Sequence, residues 1–258
     1  MNKLKFQNKA QAKKITGLSY LGSVNLTTKH EKAYKYNELV YGLYLAPANM
    51  SGYEVCPMRT KECTSACLNE SGHNIMRGND DAINKSRIKK TKLFFEEREF
   101  FVDWLIAEIE SAKSKAFKLG YSFSIRLNNT SDLNPTSFYT TDKMTGKKIN
   151  ILELYSDVQF YDYTKVPNRT KLLKEYKNYD LTFSFDGKNF LECDNMLNNK
   201  VRVAVVFKND LPKQFLGRKV IDGDLYDMRY RDKKNVIVGL KYKIVRTKLD
   251  PKNKFVIQ

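Results

Sequence analysis

The sequence predicts an α/β protein built as a parallel βα barrel, full or partial, with a cysteine-bearing loop after its first strand. Three observations lead there. Short β-rich runs recur at 121–127, 158–163, 179–185, 201–207 and 236–242. Helix-length segments lie between them at 150–157, 169–177 and 188–199, and the strand starts at 158, 179 and 201 stand only 21 and 22 residues apart. Runs such as VRVAVVF are apolar along most of their length, which suits strands covered on both faces. Right-handed crossovers wind such a sheet into a barrel or an open layer, and the tight repeat favours the barrel.

Taken in order, residues 1–37 are polar, lysine-rich and without clear period, and read as a basic arm ahead of one domain spanning 38–258. LVYGLYLAP (39–47) is an apolar run stopped by Pro47, a buried strand that delivers its end into the next loop. Residues 80–119 read as one helix, capped by Asn79 or Asp80 and closed by Gly120. Phe94, Phe101, Leu105, Ile109, Ala112 and Ala116 recur on one helical face and are expected against the sheet. The opposite face, with Lys85, Arg87, Lys89, Lys90 and Lys92, reads as solvated or as a minor phosphate contact.

The loop at 44–78 is the expected seat of chemistry. It holds Cys56, Cys63 and Cys67, with six and then three residues between them, punctuated by Gly52, Pro57, Gly72 and Gly78. Three thiolates converging from an irregular loop suit a soft metal or an iron–sulfur cluster. Zinc is the alternative, and spacing alone does not choose between them. Cys193, on the expected helix 188–199, falls with Phe190 and Leu197 on the apolar side, yet near the functional end. It is either a core thiol or a fourth ligand.

In βα folds the functional face lies where strands end. The exits here are polar: RLNNTSD offers Asn128 and Asp132, YDYTK offers Asp162 and Lys165, and FSF offers Ser184. Singly, each suits a turn or cap; together they predict a pocket shared with the cysteine loop, in which Asp162 and Lys165 pair if both enter it. Asp222, Asp224, Asp227 and Asp232 in 220–232 read as an acidic turn around Gly223, with cation binding as the alternative.

Charge narrows the partners. With 46 Lys and Arg against 29 Asp and Glu, the formal charge is +17. Neutralising phosphates releases condensed counterions, so a nucleic acid or nucleotide is the expected partner. No run approaches membrane-spanning length and the basic start lacks a signal peptide's apolar core, so a soluble cytoplasmic protein is expected. In that reducing setting clustered cysteines point to metal rather than disulfides.

The motifs YLAPANMSG, the CP…C…CL loop, KSRIKKTKLFF, RLNNTSD, FYDYTK, LTFSF, VAVVF, VIDGD and VIVGL, in this order, resemble the bacteriophage family named after mycobacteriophage gene product 88. The likeness runs from about Leu39 to the end. It implies a phage protein working in the host cytoplasm and no particular reaction. More distantly, the three-cysteine loop after the first strand resembles radical S-adenosylmethionine barrels, which implies a 4Fe-4S cluster and redox or radical chemistry. The wider cysteine gaps and the lack of a glycine-rich stretch after the loop argue against S-adenosylmethionine itself. The alternative is a non-catalytic nucleic-acid-binding protein with a structural zinc or cluster site.

Overall fold

The structure, a computed structural model, describes residues 4–25, 27–70, 82–245 and 248–258; the caps expected at Asn79 or Asp80 lie outside them. The lysine-rich start forms α1 (Lys9–Thr16), β1 (Gly22–Val24) and α2 (Thr28–Glu31), followed by a 3-10 turn at Lys32–Tyr36. Asn8 caps α1 by accepting from the Gln11 N–H, and Gly17 ends it at φ 69°, a left-handed conformation glycine adopts without strain. Next come β2 (Glu38–Leu43), α3 (Lys61–Ser65), α4 (Ala82–Glu96), α5 (Arg98–Lys118) and β3 (Ser122–Arg126). A small hairpin, β4 (Tyr139–Thr141) and β5 (Lys148–Asn150), leads to α6 (Ile151–Leu154). The chain continues as β6 (Gln159–Thr164), α7 (Leu172–Glu175), β7 (Tyr179–Ser184), α8 (Phe190–Asn198) and β8 (Arg202–Phe207). It ends in β9 (Gln214–Phe215), β10 (Arg218–Asp222), β11 (Ile237–Lys241) and β12 (Val256–Ile257).

This is a mixed α/β protein with one large, mostly parallel sheet of ten strands, ordered β1-β2-β3-β6-β7-β8-β11-β10-β9, with β12 on β8. Among the described residues of this sheet only the outer pairs, β1 on β2 and β9 on β10, are antiparallel. The described ladders do not join the two outer strands; side chains reach across instead, Lys29 Nζ donating to the Gly223 carbonyl at 3.1 Å and Lys32 Nζ to that of Asp224 at 2.7 Å.

One helical layer supplies the larger core. Phe94, Phe101, Leu105 and Ile109 from α4 and α5 pack with Leu43, Ile125, Phe160 and Leu181 of the sheet. Each such side chain, fully withdrawn from water, contributes roughly 1.5–3 kcal/mol. A second cluster joins Cys193, Met196 and Leu197 of α8 to Phe183, Val203, Val205 and Ile237. The single helix expected over 80–119 is two, broken at Glu97, whose side chain accepts from the Leu4 N–H at 3.2 Å. Arg98 turns back at the break, donating to the Phe94 carbonyl at 2.6 Å and the Ser137 carbonyl at 2.7 Å. These tertiary contacts stabilise a break that helical periodicity does not show.

The sheet's other face carries many buried polar groups around a small apolar cluster of Ala33, Val40, Tyr161 and Met228, through which the Lys32–Tyr36 turn and the β10–β11 connection pack on the sheet. Asp227 lies at their meeting point: its Oδ2 accepts from Arg126 at 2.8 Å and Tyr161 at 3.1 Å and faces His30 Nε2 at 3.2 Å. His30 in turn packs over Gly42, where a Cβ would come within 2.8 Å of its ring. Glu38 binds Ser124, Arg231 and Tyr230, while Asp180 binds Arg202 and Lys234. The four aspartates of 220–232 therefore do not converge on a cation: Asp224 pairs with Lys29, Asp232 with Arg229, and Asp222 accepts from the Asp224 N–H.

The amino-terminal residues carry elements of this fold, not only charge. Phe6 stacks on the fully buried Trp104, ring centroids 6.3 Å apart. Trp104 is the chain's single tryptophan, so it reports on that contact directly. Phe6→Ala is expected to shift tryptophan emission to the red and raise acrylamide quenching, without abolishing the cooperative unfolding transition. Asp227→Asn is expected to lower stability by about 3–5 kcal/mol near neutral pH in urea unfolding, because Arg126 is left buried without its counter-charge. Burial opposes the ionisation of Asp227, but Arg126 and His30 more than offset it and hold the carboxyl well below the usual range. Its contribution is thus complete above about pH 4, where an unfolded aspartate is ionised, and fades as acid approaches the lower native pKa. The deficit of Asp227→Asn should shrink in that acid range.

Candidate thiol-lined site

The site forms where β2, β3, β6 and β7 end. Beyond β2 the chain turns at Ala48, held at φ 53°. The Val55 N–H donates to the Ala48 carbonyl at 2.9 Å and closes the loop. The β3 exit grips it: Thr130 Oγ1 donates to the Leu45 carbonyl at 2.6 Å, and the Asp132 N–H to that of Val55 at 2.7 Å. Cys56 follows, its N–H donating to Glu54 Oε1 at 2.8 Å. Thr60 caps α3 by accepting from the Cys63 N–H at 3.0 Å, and Cys67 lies just beyond the helix.

Short helices with few buried residues need outside support, and α3 receives it from the carboxy-terminal tail. The buried Asn253 donates Nδ2 to the Glu62 carbonyl at 3.1 Å and to Ser65 Oγ at 3.2 Å, and Lys188 pairs with Glu62 at 3.3 Å. The result is a cavity of about 470 Å³ whose wall carries Cys56, Cys63 and Cys67 together with Asn128, Asp132, Lys165 and Ser184. Sequence reasoning had placed all seven at one mouth.

Two further expected site residues fall elsewhere. Asp162 does not line the cavity: it lies inside β6, three residues before Lys165, which follows the strand, and its oxygens accept from Asn128, so the polarised pair does not form. Cys193 is buried in the α8 cluster, its Sγ 3.6 Å from Asn189 Oδ1, and does not line the cavity either. Conversely, Arg59, Asn69 and Tyr163 line the wall without having been singled out. Period-two alternation back from Lys165 finds Tyr163; no local signal marks the other two.

The partners of each polar group separate scaffolding from groups open to a ligand. Asp132 Oδ1 accepts from Thr164 Oγ1 at 2.7 Å and from Arg169, while its Oδ2 accepts from the Lys165 N–H at 2.9 Å. It is an anchor for the β6 exit rather than an idle base. Asn128 is similarly committed, accepting from Ser131 Oγ at 2.8 Å and the Leu133 N–H at 2.9 Å and donating to Asp162 Oδ2 at 3.0 Å. Burial pushes the Asp162 carboxyl up to about 6 despite those donated hydrogen bonds.

Lys165 and the three thiols complete the wall. Burial opposes the Lys165 charge, but hydrogen bonding and attraction to Cys63, with Asp132 and Cys56 adding, carry its pKa above the ordinary lysine value. Burial likewise pushes the Cys56 thiol up to about 12, with Asp132 and the other two thiols adding. Such a thiol stays protonated at neutral pH until a positive centre arrives to stabilise the thiolate. Arg126 enters from below, fixed by Asp227 and lying 4.6 Å from the centroid of the Tyr163 ring. Among the described residues no three His, Cys, Asp or Glu side chains are gathered closely enough to form a single ion's ligand set.

Fold and site together define a mixed α/β protein whose mostly parallel sheet carries a three-thiol cavity at its strand ends. The gene product 88 family matches residues 3–254, and the chain belongs to it. The match begins ahead of Leu39, so the amino-terminal segment is part of what the family shares. No curated protein and no solved structure matches the chain. Among the described residues no helix is long and apolar enough to cross a membrane.

A buried carboxyl with a raised pKa is directly observable. Carboxyl-carbon NMR should show a signal titrating near pH 6 that disappears in Asp162→Asn. Because this group takes up its proton more readily in the folded protein, stability should fall as pH rises from about 4 to that value, then level off.

Proposed function

We propose that Cys56, Cys63 and Cys67 hold a 4Fe-4S cluster, and that the chain is a redox or radical-type enzyme acting on a nucleotide or nucleic acid. The observation that carries the reading is that three thiols from one loop line a single cavity. The rest of that wall sets the cations Arg59, Arg126 and Lys165 among polar side chains and the apolar Pro47, Ala48 and Met50. The donors fit the group: thiolate is the ligand that iron–sulfur centres prefer, and three protein ligands leave one position open. When bound, such a cluster supplies one-electron chemistry.

The chain's own residues then have definable work. Lys165 balances thiolate charge beside Cys63, lowering the cost of three anions in one half-buried wall. Arg126, locked by Asp227, presents a fixed cation to an anionic substrate at the floor. Asn128, Asp132 and Asp162 hold the loops in register, and Ser184 remains on the wall to orient substrate. The net charge of +17 favours approach of polyanions generally.

Anaerobically reconstituted protein should be brown, with iron and acid-labile sulfide in equal amounts. Cys56→Ser, Cys63→Ser and Cys67→Ser should each lose most of the iron, and Cys193→Ala should retain both metal and spectrum. A colourless protein carrying stoichiometric zinc would overturn the reading. Cleavage of added S-adenosylmethionine under reducing conditions separates radical chemistry from simple electron transfer.

A further inference from the structure

A second cavity, of about 420 Å³, lies between the α1–β1 connection and α4, lined by Tyr20, Leu21, Tyr44, Ser86, Arg87 and Lys90 among others. Lys90 sets it apart. Its side chain rises from the middle of α4 and the residue is 5% exposed, yet among the described residues its ammonium makes no ion pair or hydrogen bond. Its contact is aromatic: Nζ lies 4.5 Å from the Tyr20 ring centroid. The carboxylate whose charge reaches it, Glu108, is already committed, accepting from the Leu21 N–H at 3.0 Å, the Gly22 N–H at 3.0 Å and the Tyr41 hydroxyl at 2.6 Å. Arg87, one turn away, adds a second positive charge to the same wall.

A buried ammonium without a counter-ion is unfavourable, and a neighbouring guanidinium makes it more so. Burial accordingly lowers the Lys90 pKa to about 8, with Arg87 pushing the same way and Glu108 only partly opposing. The aromatic face of Tyr20 offsets part of the cost, but a cation over a ring recovers less than a charge-assisted hydrogen bond does. Among the described residues Lys90 has no anionic partner, and its ammonium and the Ser86 hydroxyl face the cavity ready to receive one. The geometry points to a phosphate-binding site between α4 and the α1–β1 connection, separate from the thiol cavity, in which Lys90 binds the phosphate of a nucleotide-sized ligand.

The size supports a ligand larger than phosphate alone, since cavities of this volume ordinarily hold small organic molecules. Tyr20 and Tyr44 supply aromatic surface beside the cationic wall. The site also touches the first one physically: Arg87 donates to Asn69, which lines the thiol cavity. Because the site needs no metal, it stands or falls independently of the cluster assignment.

The test compares full-length wild type with Lys90→Met, which keeps the length of the side chain and removes its charge. Inorganic phosphate, adenosine 5′-monophosphate and adenosine are each titrated by calorimetry and by thermal melting. Phosphate and the monophosphate should bind wild type and raise its melting temperature, whereas adenosine should do neither; tighter binding of the monophosphate identifies a nucleotide site, and equal binding a site for phosphate alone. Lys90→Met should weaken both anions by about tenfold or more. Its ligand-free melting temperature should not fall, because an uncompensated charge has been removed. Equal anion affinity in both proteins, or none in wild type, would overturn the site. Should Lys90→Met not fold, the lysine ε-carbon signals of the wild type decide: one resonance with a pKa near 8 should move on phosphate addition, and its failure to move would refute the assignment.

Discussion

A single buried carboxylate ties this molecule together. Asp227 comes from the connection between β10 and β11, yet its oxygen meets Arg126 of β3, Tyr161 of β6 and His30 of the amino-terminal segment. Those partners are 101, 66 and 197 residues away in sequence. Arg126, His30 and Lys29 together outweigh the cost of burying the carboxylate, so the charge is retained inside the fold. The contact fixes the position of Arg126, which lines the thiol cavity from below. Architecture and candidate chemistry therefore share one ion pair.

The polar-rich face of the sheet shows why such pairs are needed. An apolar filling would tolerate small shifts of one segment over another, whereas Glu38, Asp180 and Asp227 each accept specific donors. Directional bonds of this kind specify register at little net gain in stability. The outer face follows the opposite rule, with non-directional packing of α4, α5 and α8 supplying the bulk of the hydrophobic stabilisation. The thiol loop lies between the regimes. It has little core of its own and is held by the β3 exit on one side and Asn253 of the carboxy-terminal tail on the other. Burial also holds the Cys56 thiol neutral.

Much of this was legible beforehand. The strands at 121–127, 158–163, 179–185, 201–207 and 236–242 all appear within a residue or two of the expected limits, as do the polar exits bearing Asn128, Asp132, Lys165 and Ser184. Apolar runs ending in turn-forming residues are local signals, and local signals survive without coordinates. The break at Glu97 was not legible, because its stabilising partners Leu4 and Ser137 lie 93 and 39 residues from the groups they meet. Nor was the structure of residues 4–37, whose buried positions Ala12, Leu18, Leu21 and Ala33 are too sparse to show a period.

The sequence by itself determined the alternation of strand and helix, the crowding of three cysteines into one loop and the positive charge of the whole, since each depends only on neighbouring residues or on composition. Tertiary structure alone decided which polar residues are scaffolding and which face open space. It kept Asp162 off the cavity wall, buried Cys193 in the α8 core and left Lys90 buried with no ion pair among the described residues. The physical reason is that a side chain's role depends on what surrounds it in space, and for these residues the surroundings arrive from distant parts of the chain.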